Sequence, residues 1–245
     1  MKKLQNLWRN PTETFEEILS RKFRWVDKQV RNKQKMNTKI FNTEIQLENE
    51  SVKLIPFGNP RNQELKEIIF DDEIWKYMGM FVRTETDFEN YLTSTLNSQK
   101  NGICYPFLII DKETGKVAGS SRYGYLNMAS EKCEIGWTWY GKDFQGTGLN
   151  TACKYELLKF GFETIGFRRI QFSADQENIR SQKAIEKLGA IKEGIFRNNY
   201  IDSEGESKND VYYSIIKEDW DDLKKERFSE FENKPVANNG TAKYY

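Results

Sequence analysis

At 245 residues, 38% hydrophobic and 31% charged, the chain has the make-up of a soluble globular protein with length for one medium domain and additions. A net charge of +1 argues against a dedicated polyanion binder, so nucleic acid is not an expected partner. No apolar run approaches the ~20 residues needed to span a membrane, and Lys2 and Lys3 are not followed by the apolar core of a signal peptide.

Residues 1–36 read as a basic amphipathic helical extension. Asn10-Pro11 opens a helix, and Phe15, Ile18, Leu19, Phe23, Val26 and Val30 recur at helical spacing. Ten Lys and Arg stand there against four Asp and Glu. The apolar stripe is expected to dock on the main domain or on a second copy, as in a homodimer, with a solvated basic face. Contact with a membrane surface or RNA is the alternative.

An extended stretch follows, with Val52–Pro56 as its best strand. Leu65, Ile68, Ile69 and Trp75 form one helical pattern. Phe88, Tyr91, Leu92 and Leu96 form another, opened by Thr84 or Thr86 as cap. The glycine- and aromatic-bearing loop 76–81 between them is placed to wall a substrate cleft. Residues 105–111, 116–126 and 133–140 predict an antiparallel meander, with turns at Glu113-Thr114-Gly115-Lys116 and Asn127–Glu131. Then the pattern changes. Helix 147–162, strand 168–174 and helix 179–188 imply a parallel, right-handed crossover. Strands 190–200 and 209–216 and a closing helix 219–231 complete the chain, ahead of a polar tail.

Chemistry concentrates in residues 134–189. Gln145-Gly146-Thr147-Gly148-Leu149-Asn150 places glycines just ahead of a helix. There the backbone can approach an anion closely, and the helix end supplies free N–H groups and a positive dipole end. That is a phosphate cradle. The chain has no histidine, which removes the commonest general base and every Ser-His or Cys-His nucleophile pair. Cys104, Cys133 and Cys153 are odd in number and form no CxxC pair, so neither a zinc site nor a disulfide framework is expected, and a reducing cytoplasm is the expected compartment. Cys153 fits the apolar stripe of its helix and is assigned to packing. Trp75, Trp137 and Trp139 are assigned to core or cleft wall, and Arg122 and Tyr123 face either an acceptor pocket or solvent.

Residues 45–220 resemble the GNAT superfamily of acyl-CoA-dependent N-acyltransferases. The first likeness is to the Gln/Arg-x-x-Gly-x-Gly/Ala motif, matched by Gln145 to Asn150 except that Asn150 replaces the last small residue. The second is Asn178-x-x-Ser181-x-x-Ala184-Ile185-x-x-Leu188-Gly189, followed by Glu193-Gly194. The two in order, after the strand Glu134-Ile135-Gly136-Trp137-Thr138-Trp139, are similar to the branch that includes the ribosomal-protein alanine N-acetyltransferases. The resemblance implies a mixed α/β fold with a mostly antiparallel twisted sheet, one splayed parallel pair and flanking helices. It places a domain at 37–220, followed by a C-terminal helix and tail at 221–245. It implies direct transfer from acetyl-CoA to an amine, either a protein N-terminus or a small molecule.

It also assigns residues. The N–H groups of the turn Gln145, Gly146, Thr147, Gly148, Leu149 and Asn150 would hold the coenzyme pyrophosphate. The backbone of Trp137, Thr138 and Trp139 would pair with the pantetheine amides as an added strand, at a bulge beside the splayed parallel pair. Asn178 would bond the pantetheine region and Ser181 would sit near the sulfur. Many members carry an acid tyrosine on the second-motif helix. Here Ile185 stands in its place, so the acid role passes to Ser181. The branch's base glutamate is matched by Tyr200, which leaves Glu134 as the best carboxylate for that role. The alternative for Glu134 is a structural salt bridge. Tyr212 and Tyr213 are held in reserve.

Overall fold

The computed structural model describes residues 40–232. The expected helix within 1–36 and the polar tail after 232 lie outside that range. The remainder forms one eight-stranded sheet, in the order β1-β2-β3-β4-β5-β6-β8-β7. Its strands are β1 (Leu47–Glu48), β2 (Val52–Pro56), β3 (Tyr105–Asp111), β4 (Val117–Asn127), β5 (Lys132–Tyr140), β6 (Arg169–Asp175), β7 (Ile191–Ile201) and β8 (Ser207–Ile216). Every neighbouring pair is antiparallel except β5 and β6.

Helices fall on both faces. A 3₁₀ segment (Pro60–Glu67), the short α1 (Asp72–Trp75) and α2 (Glu85–Lys100) contribute Leu65, Trp75, Phe88 and Tyr91 to a core over Leu108, Ile110, Val117 and Trp139. On the opposite face α3 (Leu149–Lys159), α4 (Ile179–Lys187) and α5 (Lys217–Arg227) pack on Phe107, Tyr123, Ile135, Ile170, Phe172 and Tyr213. Strand alternation fixes which side chains look which way.

Three local details differ from the sequence expectation, one being that the closing helix expected over 219–231 breaks at Phe228 (φ −128°) into α5 and a short helical turn, Ser229–Glu232. The pattern Leu65–Trp75 is not one helix. Ile68 closes the 3₁₀ segment at φ −132°, and Asp71 starts α1 afresh by accepting a hydrogen bond from Glu73 N–H. Beyond Lys159 the helix widens into a π-helical turn, Phe160–Ile165, which ends at Gly166 with φ +81°. By contrast Thr84 caps α2 as expected, and its hydroxyl and the Asp87 carboxylate satisfy each other's backbone N–H groups.

Candidate active site

The site begins where the parallel pair comes apart. β5 and β6 pair only at Lys132, Cys133 and Glu134, opposite Arg169, Ile170 and Gln171. Beyond that point both strands continue, to Tyr140 and Asp175, without pairing to each other, so a wedge opens between them. Within the free half of β5, Ser120 pairs with Trp139 and Arg122 with Gly136, so Trp137 and Thr138 together face the single residue Ser121. That is a β-bulge, and Trp137 takes φ +48° to make it.

At the mouth of the wedge stand two helix N-termini. Gly146 (φ +79°) and Gly148 (φ +89°) turn the chain into α3 through the left-handed region, and a Cβ built at either would meet nothing within 4 Å. The turn is therefore open to a ligand as well as glycine-dependent. Among the described residues the N–H groups of Gly146, Thr147, Gly148 and Asn150 find no acceptor. Leu149 N–H reaches Thr147 Oγ1 only at 3.4 Å, and the buried Leu149 side chain anchors the helix start. Gln145 acts as a strut, since its amide donates to Tyr140 O at 2.9 Å and accepts from Arg180 of α4 at 2.6 Å. Arg180 thus ties the turn to the second helix, a role that nothing in its spacing announced. Asn178 is the N-cap of α4, accepting from Ser181 N–H at 3.0 Å. The Ser181 hydroxyl, in the first turn, makes no hydrogen bond among the described residues. Ile185 is buried in the core.

The sheet face that α2 covers over β2–β4 carries polar and aromatic side chains over β5–β8. Glu134, at the foot of the wedge, is 3% exposed and accepts hydrogen bonds from Gln171 Nε2 and Ser173 Oγ, each at 2.8 Å. No ion pair forms with it among the described residues, where its partners are instead these two neutral groups. Burial raises its pKa, partly offset by those two hydrogen bonds. Asp210, two strands away, is also raised by burial. Tyr125 and Trp137 meet at 5.3 Å between ring centroids, Arg122 lies over Trp137 at 4.7 Å, and Phe196 stacks on Tyr212 at 4.2 Å. Gly124 is required here, because a Cβ on it would come within 2.2 Å of the Trp137 ring.

Other predicted groups land elsewhere. Tyr200 donates its hydroxyl to Asp175 Oδ2 at 2.7 Å, and burial together with that carboxylate holds the phenol firmly protonated. A phenol so held does not accept a proton, so the geometry speaks against Tyr200 as base. Its ring rests near Gly79 of the 76–81 loop, which brings that loop to the same face. Tyr213 is in the opposite core, donating to Glu186 at 3.1 Å. Tyr123 is core too. The Trp139 side chain donates to Tyr91 OH at 3.1 Å and packs 5.6 Å from Trp75, so both rings are packing groups. All three cysteines are buried and free.

Sequence reasoning missed Lys154. It lies in α3 amid the buried run Ala152–Leu158. A lysine inside a helix buried on all sides was the available signal.

A family model for the acetyltransferase (GNAT) domain matches residues 54–191, more than half of the chain. The chain belongs to the GNAT acetyltransferase family. Among curated relatives, the uncharacterized N-acetyltransferase YnaD of Bacillus subtilis (strain 168) is 27% identical over 158 residues, 64% of this chain and 89% of that protein. YdaF of the same organism, provisionally named a ribosomal N-acetyltransferase, is 32% identical over 108 residues, 44% of this chain and 57% of that protein. Among solved structures, a provisionally named acetyltransferase from T. thermophilus has a TM-score of 0.68 at 29% identity, covering 76% of this chain and 96% of that one. The GNAT chain is thus an N-acetyltransferase, and the family's acetyl donor is acetyl-CoA. No helix among the described residues is long and apolar enough to cross a membrane.

Proposed function

We propose that this protein transfers acetyl directly from acetyl-CoA to a primary amine in a ternary complex. The observation that carries the reading is the wedge itself: an unpaired, bulged strand edge leading to a glycine turn with unclaimed N–H groups. The pyrophosphate sits on Gln145 to Asn150. The arm extends along Trp137, Thr138 and Trp139 as an added strand, with Asn178 beside it. The acceptor enters over the open face of β5–β8. Glu134 takes a proton from the incoming ammonium, directly or through water. The neutral nitrogen attacks the thioester carbonyl, the C–N bond forms, and the C–S bond breaks. Ser181 protonates the departing thiolate and regains a proton from the new amide nitrogen, which sheds its second hydrogen as the C–S bond breaks. A raised pKa suits Glu134 to this role, since a base works best when its pKa lies nearer the operating pH.

The acceptor is a protein N-terminal amine or a small-molecule amine. The name of YdaF favours the ribosomal-protein branch. A second reading is favoured by Ile185, which leaves the usual helix acid absent: a silent acyl-CoA-binding module on the same fold. Thiol release from acetyl-CoA, followed with a panel of peptides and small amines, separates the two. Turnover with any acceptor supports the transferase, whereas tight binding with no turnover across the panel sinks it.

A further inference from the structure

Lys154 is the only cation among the buried charged side chains of the described residues. No carboxylate of the described residues pairs with it. Its Nζ instead donates to two hydroxyls, Ser121 Oγ at 3.2 Å and Thr138 Oγ1. Those hydroxyls bond each other at 2.8 Å, and Thr138 Oγ1 also donates to Gly136 O at 3.3 Å. The membership of this network is telling. Thr138 is one of the two bulged residues, Ser121 is the β4 residue that the bulge spans, and Gly136 is the last residue in register before it.

A bulge that forces Trp137 to φ +48° persists only if its surroundings over-determine it. An ammonium buried against neutral hydroxyls is an expensive way to supply that support, since an apolar side chain of similar volume serves stability as well or better. Burial accordingly pushes Lys154 down to about 8, and the titratable groups that act on it are Cys153, beside it on α3, and Glu134, on the opposite face of the sheet. Every hydrogen bond that this costly group makes goes to the bulge.

We propose that Lys154 is a positioning residue of the acetyl-transfer site, holding the β5 bulge through Thr138 and Ser121 in the shape that offers its backbone to the acyl-pantetheine arm. This rests on the reading that the arm runs along Trp137 to Trp139. The phosphate turn grips the ligand beyond the arm, and no hydrogen bond of the network reaches residues 145–150.

Calorimetry on the full chain with two probes tests the idea: acetyl-CoA, and adenosine 3′,5′-bisphosphate, which has the nucleotide but no arm. Lys154→Met removes the ammonium at near-constant volume, and Thr138→Val removes the hydroxyl it holds. Each variant is expected to lose tenfold or more in affinity for acetyl-CoA while binding the bisphosphate within twofold of wild type. Unchanged acetyl-CoA affinity in both variants would overturn the role of Lys154 alone. So would a loss on both probes in equal proportion, the mark of a general fold defect. Wild-type protein that binds neither probe would overturn the acetyl-CoA reading and this proposal with it.

Discussion

At the mouth of the β5–β6 wedge the turn 145–150 offers a ligand mainly backbone, whereas the open face of β5–β8 offers side chains. The turn presents left-handed glycines, unclaimed N–H groups and a helix end, with Gln145 and Arg180 as bracing. The open face presents Glu134, held by Gln171 and Ser173, and the rings of Tyr125, Trp137, Phe196 and Tyr212. Backbone recognition needs a few residue types at fixed spacing, so it suits a coenzyme that never changes. Side-chain recognition can vary position by position while the fold stays, so it suits an acceptor that differs between relatives.

The division predicts that the two regions can be disabled separately. The largest kinetic effect belongs to Glu134. Glu134→Gln keeps the shape of the side chain but replaces one of its two acceptor oxygens with a donor NH2 and cannot take a proton. It should lower kcat on the order of 10²–10⁴-fold while leaving acetyl-CoA affinity by calorimetry unchanged. In wild type, activity should fall as pH drops through a midpoint above the ordinary glutamate value of about 4.3, because burial favours the protonated form and only the carboxylate accepts the proton. The variant should lack that limb. A variant with a normal pH–rate profile and full kcat would move the base elsewhere on the face.

The smallest effect lies outside both regions. Glu156, on α3, accepts from Asn49 Nδ2 at 3.1 Å, and burial pushes it up to about 7. Its pKa is raised on folding, so its contribution to stability is fully present below the unfolded value near 4.5 and is lost as pH rises through about 7. Glu156→Gln should therefore match wild type in thermal stability near pH 4.5 and exceed it at pH 8, by roughly 1–3 kcal/mol, with ligand binding unaltered. A stability difference independent of pH would show that the carboxyl is not buried as described.

The same division explains what could be read from the sequence. Element order, the parallel crossover and the Gly146–Gly148 turn were legible because periodicity and glycine placement carry them. The bulge was expected only through the family resemblance, since nothing in Gly136-Trp137-Thr138-Trp139 alone requires two residues to face Ser121. Tyr200 stood at a glutamate position of the family branch, but its partner Asp175 comes from another strand and only the fold brings the two together. Arg180 and Lys154 escaped for the same reason, because their meaning lies in Gln145, Ser121 and Thr138 across space. The break at Asp71 was local yet hidden, since Leu65, Ile68, Ile69 and Trp75 mimic one helical stripe.

The central claim is that the backbone turn holds the coenzyme, and calorimetry with acetyl-CoA on wild type and Gly148→Glu tests it most directly. A Cβ at 148 meets no protein atom within 4 Å, so the variant should fold despite strain at φ +89°. Its carboxylate would stand where the pyrophosphate is proposed to lie. Saturable binding by wild type and a loss of about 100-fold or more in the variant, roughly 2.7 kcal/mol, is the predicted result. Equal affinity in the two proteins, with the variant shown to be folded, would contradict the account.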